Sequence, residues 1–157
     1  MSKPIEDTLR NVRISELRLE VGGAVSPDTP IAEVYEILDR HRRNAVVVCE
    51  GDSVVGIFTQ RDILNRTALE APDSATPIRE LMTADPFTLR MDQKLADAIH
   101  AMTVHGYRNV PLVDGSGRWL GLLSSRNVLR FIAEHFPEAV LNLPPRLNQH
   151  LSRAEGG

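Results

Sequence analysis

The chain has 157 residues, 42% hydrophobic and 25% charged, proportions that suit a globular protein and exclude wholesale disorder. Its 18 Lys and Arg against 21 Asp and Glu give a net charge of −3 with no basic block, so the electrostatic footprint of a nucleic-acid binder is missing. The single cysteine, Cys49, rules out an intrachain disulfide and a cysteine-cluster metal site, and no apolar run reaches the roughly 20 residues that span a bilayer.

Residues 1–11 read as an N-terminal extension with a weak helical pattern. Its charges alternate and it has no apolar stretch, so it is not a signal peptide, and a cytoplasmic protein is expected. From residue 12 the chain repeats itself. At an offset of 64 positions Ile14-Ser15-Glu16-Leu17 falls on Ile78-Arg79-Glu80-Leu81, Ile31-Ala32-Glu33 on Leu95-Ala96-Asp97, and His41 on His105. After one inserted residue, Gly56-Ile57-Phe58-Thr59 falls on Gly121-Leu122-Leu123-Ser124 and Arg61 on Arg126. An offset sustained from residue 14 to 129 marks a duplication. The copies are read as 12–70 and 78–136, with 71–77 as a linker inside the Pro-, Ser- and Asp-rich stretch 65–77.

Each copy is expected to open with a short lead strand and then a helix. Asp28 and Asp92 are candidate N-caps, because a short carboxylate can accept an unpaired helix N–H. Behind them Ile31, Val34, Tyr35 and Leu38, like Leu95, Ala98, Ile99 and Met102, are spaced i, i+3, i+4, i+7 and predict one buried stripe per helix. The continuous apolar runs 45–49 and 110–113 predict strands buried on both faces. Glu50-Gly51-Asp52-Ser53 and Asp114-Gly115-Ser116-Gly117 are turn chemistry leading into second strands at 54–58 and 119–123. A helix closes each copy, Gln60 to about Leu69 and Ser125 to about His135. The fold class is therefore α/β (α+β), two β-α-β-β-α repeats. Each unit is too small to be comfortable alone, so the two are expected to pack sheet to sheet about a pseudo-twofold axis.

This pattern resembles the CBS (cystathionine β-synthase) domain pair, or Bateman module. The residues that carry the resemblance are Gly56-Ile57-Phe58-Thr59-Gln60-Arg61-Asp62 and Gly121-Leu122-Leu123-Ser124-Ser125-Arg126-Asn127. With them go Asp85-Pro86-Phe87-Thr88 and Tyr107-Arg108-Asn109-Val110-Pro111. The resemblance covers about residues 12–135. It implies a regulatory module that binds an adenosine-containing ligand (AMP, ADP, ATP, S-adenosylmethionine or NAD) in clefts between the repeats, and that associates as a homodimer. No enzyme domain is attached here, so the expected effector is a separate protein. The alternative reading is a ligand-free dimeric scaffold acting through protein–protein contact.

The site residues that follow from the motif are Thr59, Asp62, Ser124 and Asn127, with Arg43, Arg108, Thr88 and His105 beside them. An ionised Asp62 is an acceptor suited to the vicinal hydroxyls of a ribose. Thr-x-x-Asp is also an ordinary capping box, and the motif is expected to serve both ends. Asn127 departs from the pattern: an uncharged amide should grip a diol less well, so one competent cleft at Asp62 and one weaker cleft are expected. Arg43 and Arg108 stand just before the central strands. Positive charge at a helix end is favourable by itself, and the family suggests a phosphate clamp instead. The five histidines (41, 100, 105, 135, 150) have no metal-ligand spacing, and no nucleophile–base–oxyanion constellation appears, so neither a metal nor catalysis is expected. Residues 137–157 read as a tail over the domain or a partner, with Pro144 and Pro145 barring a continuous helix.

Overall fold

A computed structural model describes residues 3–19, 22–67 and 71–138. The last helical residues expected for the first copy and nearly all of the tail lie outside them. Helix α1 (Lys3–Asn11) is followed by a 3₁₀ turn (Ile14–Glu16) and strand β1 (Ala24–Val25). Helix α2 (Ile31–Arg40) leads to the hairpin β2 (Ala45–Glu50) and β3 (Ser53–Thr59). Helix α3 (Gln60–Asp62) then passes directly into a π-helical turn (Ile63–Thr67). The second copy runs through a 3₁₀ turn (Ile78–Glu80), β4 (Thr83–Ala84) and β5 (Leu89–Arg90). It continues with α4 (Leu95–His105), the hairpin β6 (Asn109–Val113) and β7 (Trp119–Ser124), and α5 (Ser125–His135).

In each copy the lead strand pairs in parallel with the central strand, and the central strand pairs antiparallel with the next. Val46, Val47 and Val48 are buried on both sides of the sheet, as an unbroken β-branched run requires. Each such side chain contributes about 1.5–3 kcal/mol of burial.

Two expectations about helices need correction. The N-caps are Pro30 and Lys94, two residues beyond Asp28 and Asp92. Asp28 instead pairs with Arg79, and Asp92 with Arg90 at 2.5 Å. The start of α4 is held by Asp97, whose Oδ2 accepts the Lys94 N–H (3.2 Å). The closing helix of the first copy is also not a plain α-helix. Its π turn contains Asn65, a residue type of low helix propensity, where the second copy has the good helix former Arg130.

The pseudo-twofold axis is visible bond by bond. Ile14 N–H donates to Gln93 O (3.0 Å), and Ile78 N–H, 64 positions on, donates to Thr29 O (2.8 Å). Ser15 N–H to Met91 O (2.9 Å) is mirrored by Arg79 N–H to Pro27 O (3.0 Å). Leu95 N–H to Val12 O and Ile31 N–H to Thr76 O are both 2.8 Å. Every bond in this set joins the lead segment of one copy to the helix-start region of the other.

The leads are therefore exchanged. Ile14 and Leu17 belong to the core built on Leu95, Val110, Leu112, Leu123 and Phe131 of the second copy. Ile78, with Leu81 and Met82, belongs to the core around Val34, Val46 and Phe58 of the first. Strand β4 continues this crossing: it pairs antiparallel with β3, Gly56 opposite Ala84, and gives the first sheet four strands where three are expected. On the far side the hairpin turns meet, with the Trp119 N–H on Asp52 O (2.8 Å) and Arg118 near the Asp52 carboxylate (3.7 Å).

Candidate functional site

Both motifs are placed by the same local bonds. The Gln60 N–H donates to Asn44 O (3.0 Å) and the Ser125 N–H to Arg108 O (2.9 Å), pinning each helix start beside the turn before its own central strand. Each motif then closes a capping box. Asp62 Oδ2 accepts from the Thr59 N–H (2.9 Å) and hydroxyl (3.1 Å), and Thr59 Oγ1 accepts the Asp62 N–H (3.4 Å). Asn127 Oδ1 accepts from the Ser124 N–H and hydroxyl, both at 2.7 Å, and Ser124 Oγ accepts the Asn127 N–H (3.2 Å). The capping role is thus built into both copies.

The motifs face one continuous cleft of about 760 Å³, a size usual for small-molecule sites. Thr59, Asp62, Ser124, Asn127, Arg43 and Arg108 all line it. The exchanged lead of the second copy also enters: Thr83 Oγ1 donates to Asp62 Oδ1 (3.3 Å), and Asp85 and Phe87 follow along the wall. Among the described residues the lining carries Arg42, Arg43, Arg61, Arg108 and Arg126 against Asp62 and Asp85. Five positive charges against two negative make this cleft cationic in a chain whose net charge is −3. A low-dielectric wall focuses such a field on anions.

Arg42 holds an unusual backbone. Its φ is +49°, in the left-handed region, where the equivalent position of the second copy is Gly106 at +72°. A non-glycine residue pays of order 1 kcal/mol for that conformation. Arg43 comes close to glycine: a Cβ on Gly22 would lie 3.0 Å from its guanidinium Nη1.

Thr88 and His105 do not line the cleft. Thr88 is half-buried at the start of β5, and His105 ends α4, where its ring stacks on Tyr107 at 5.3 Å. Tyr107 in turn stacks on Phe87, centroids 5.5 Å apart and planes 18° from parallel. These two rings do line the cleft, and sequence reasoning gave them no role. A usable signal was present: Phe87 precedes the lead strand and Tyr107 the central strand, and strand pairing sets those two ends side by side.

Cys49 is buried, and burial followed by the nearby Asp52 charge pushes its thiol pKa up, so it is an inert packing residue. No group of metal-ligating side chains is found among the described residues. No helix among them is long and apolar enough to cross a membrane.

Comparison with known proteins agrees with this architecture. The family model for the CBS domain matches twice, at residues 23–68 and 78–134. The CBS domain-containing protein YhcV of Bacillus subtilis is 33% identical over 90 residues, which is 57% of this chain and 64% of that protein. The CBS-domain containing protein ATU1752 from Agrobacterium tumefaciens superposes with a TM-score of 0.69 at 27% identity, covering 76% of this chain and 98% of that one. CBSX2, solved in complex with AMP, gives a TM-score of 0.69 at 22% identity over 79% of this chain and 98% of its own, a likeness of fold.

Proposed function

This chain belongs to the CBS-domain family, with two copies in tandem, and from that premise we propose that it is a nucleotide-responsive regulatory module without catalysis of its own. The observation that carries the reading is the cationic cleft faced by both motifs. Its ligand is an adenosine-containing anion, AMP, ADP or ATP first, with S-adenosylmethionine and NAD as chemically related candidates. Asp62 takes sugar hydroxyls on its carboxylate, where a hydroxyl at Oδ1 shares or replaces the Thr83 bond. Arg43 and Arg108 meet phosphate. The AMP complex of CBSX2 lends support to adenine nucleotides as a class.

A ligand that touches both repeats favours the arrangement of the pair that it binds better, by no more than its differential affinity. That shift is read by a separate effector protein, with the module acting as a cytoplasmic homodimer.

The test is a thermal-shift panel on nucleotide-stripped protein with AMP, ADP, ATP, S-adenosylmethionine, NAD, adenosine and GTP. A ligand at 100 times its dissociation constant adds about 2.7 kcal/mol of stability. In a chain of this length that is roughly 5–10 °C. Asp62→Ala loses a cap as well as a ligand contact, so each protein is compared with its own ligand-free baseline. Selective shifts for adenosyl ligands that vanish in Asp62→Ala support the reading. Flat curves for every ligand sink it and favour a scaffold.

A further inference from the structure

The Thr83 hydroxyl ties the Asp62 carboxylate to an edge strand. The four-stranded sheet ends at β4, which is two residues long and exposed at both. Its pairing with β3 sets Thr83 opposite Ile57 and Ala84 opposite Gly56. Three further contacts hold it. The Asp85 N–H donates to Val55 O (3.1 Å), Met82 Sδ fills the space that a Cβ on Gly56 would need, and Thr83 Oγ1 donates to Asp62 Oδ1 (3.3 Å). Against them stands Asp85, whose φ of +47° is a left-handed conformation that is costly for a residue with a Cβ. An exposed strand of two residues, followed by a strained one, lies at the low end of local stability. In the other copy the counterparts of Met82 and Thr83 are Arg18 and Leu19, so the hydroxyl has no equivalent there.

The Asp62 carboxylate has few places for donors, and the motif has already taken half of them. Each carboxylate oxygen offers about two lone-pair sites. Those of Oδ2 are spent on the capping box, one on the Thr59 N–H and one on its hydroxyl. A vicinal diol that sets both hydroxyls on Asp62 must therefore use Oδ1, and it needs both sites of that oxygen. The Thr83 hydroxyl holds one of them. Two donors from the sugar and one from Thr83 do not fit, so the diol and Thr83 compete.

We propose that the sugar diol of a bound ligand displaces Thr83 from Asp62 and so releases β4 from β3, which makes this edge strand the element that signals an occupied cleft. Thr83 is a positioning residue: it holds Asp62 while the cleft is empty and gives way to the ligand. The proposal rests on the nucleotide reading above and adds the step that follows binding. The signal arises in one half of the molecule, because Leu19 offers no such bond in the other. It is also presented at the surface, since Thr83, Ala84 and Asp85 are all exposed and open to a separate effector.

Hydrogen exchange read by mass spectrometry on the full chain, with and without saturating AMP, tests this, and titration calorimetry measures the binding itself. A peptide spanning 82–86 reports on β4. AMP is expected to raise its exchange rate severalfold while the central strand β2 stays protected. The 2′-deoxy form of AMP, which brings one donor fewer, produces a smaller rise. Thr83→Val keeps the shape of the side chain and loses the donor. Its β4 exchanges fast without ligand and AMP adds nothing further. This variant also binds AMP about fivefold more tightly, the scale of one net hydrogen bond that no longer has to be broken. Thr83→Ser restores the donor and the wild-type response. A purely structural Thr83 would loosen β4 in the valine variant without tightening AMP. AMP that binds and leaves β4 protected, equal rises with the two nucleotides, or a valine variant with no gain in affinity overturns the release while leaving nucleotide binding intact. No AMP binding by the wild type removes the nucleotide reading, and the release with it.

Discussion

Ile14 is fully buried in the core of the second repeat, and its counterpart Ile78 is fully buried in the core of the first. Each repeat is thus completed by a side chain that arrives from the other. The two copies cannot part without opening both cores, and the cleft between the motifs inherits its walls from this exchange.

The exchange predicts that damage to one lead is felt by the whole chain. Ile14→Ala and Ile78→Ala each remove a fully buried side chain and are expected to cost about 2–4 kcal/mol. Urea unfolding followed by circular dichroism should keep one cooperative transition, displaced to lower denaturant in both. A variant that unfolds in two separate steps, one repeat first, would show that the cores are not interlocked.

Gly56 and Gly121 are equivalent in sequence and unequal in space. A Cβ on Gly56 would come within 2.2 Å of Met82 Sδ and 3.0 Å of its Cγ, whereas nothing lies within 4 Å of one on Gly121. Gly56→Ala should therefore destabilise by about 1–3 kcal/mol as β4 and Met82 are pushed off β3. Gly121→Ala should be neutral or slightly stabilising. Equal melting temperatures for the two variants would contradict the crossing of the second lead over β3.

Arg42 occupies a glycine-like conformation that its counterpart Gly106 fills without strain. Gly106→Ala should cost about 1 kcal/mol, the penalty of a left-handed residue with a Cβ. Arg42→Gly should leave stability unchanged within about 1 kcal/mol, because relief of that strain offsets the added freedom of glycine in the unfolded chain. If Arg42 serves the ligand, the same change lowers AMP affinity and spares adenosine. Loss of stability without loss of AMP affinity would assign Arg42 a purely structural place.

The turn at Asp114 carries an acid-sensitive contribution. Its Oδ1 accepts the Ser116 hydroxyl (2.7 Å), the Ser116 N–H (2.8 Å) and the Arg118 N–H (3.0 Å). The Ser116 hydroxyl first, then the backbone N–H groups of Arg118 and Ser116, hold its pKa below the usual carboxylate value. A depressed folded-state pKa stabilises above the unfolded value of about 4 and loses that contribution as pH falls through the folded one. Asp114→Ala should lower the melting temperature at pH 6 and narrow its gap to wild type as the pH falls toward 2. A gap that persists unchanged at low pH would mean that the carboxylate charge contributes nothing.

Much of this molecule is legible in its residues. The spacing of Ile31, Val34 and Leu38 and of Leu95 and Ala98 marks the buried stripes of α2 and α4, because burial on a helix imposes its own period on the sequence. The runs around Val46–Val48 and Val110–Leu112 mark the central strands for the same reason. Thr59–Asp62 and Ser124–Asn127 stand out because a capping box is a local device, closed within four residues. The helix starts were less legible: Asp28 and Asp92 offer the right chemistry, but their carboxylates are taken by Arg79 and Arg90.

The sequence by itself determined the duplication, the order of elements, the capping motifs and the family resemblance, all of which depend on short-range pattern or on self-similarity. Only the tertiary structure decided which core each lead segment completes, since an apolar residue such as Ile14 records that it is buried but not by whom. Only the tertiary structure set Phe87 against Tyr107 and Arg43 against Gly22, because those contacts join segments about 20 residues apart through strand pairing. In the same way, the partner of Asn127 Oδ1, and not the identity of the amide, decided which of its atoms lies outside the capping box.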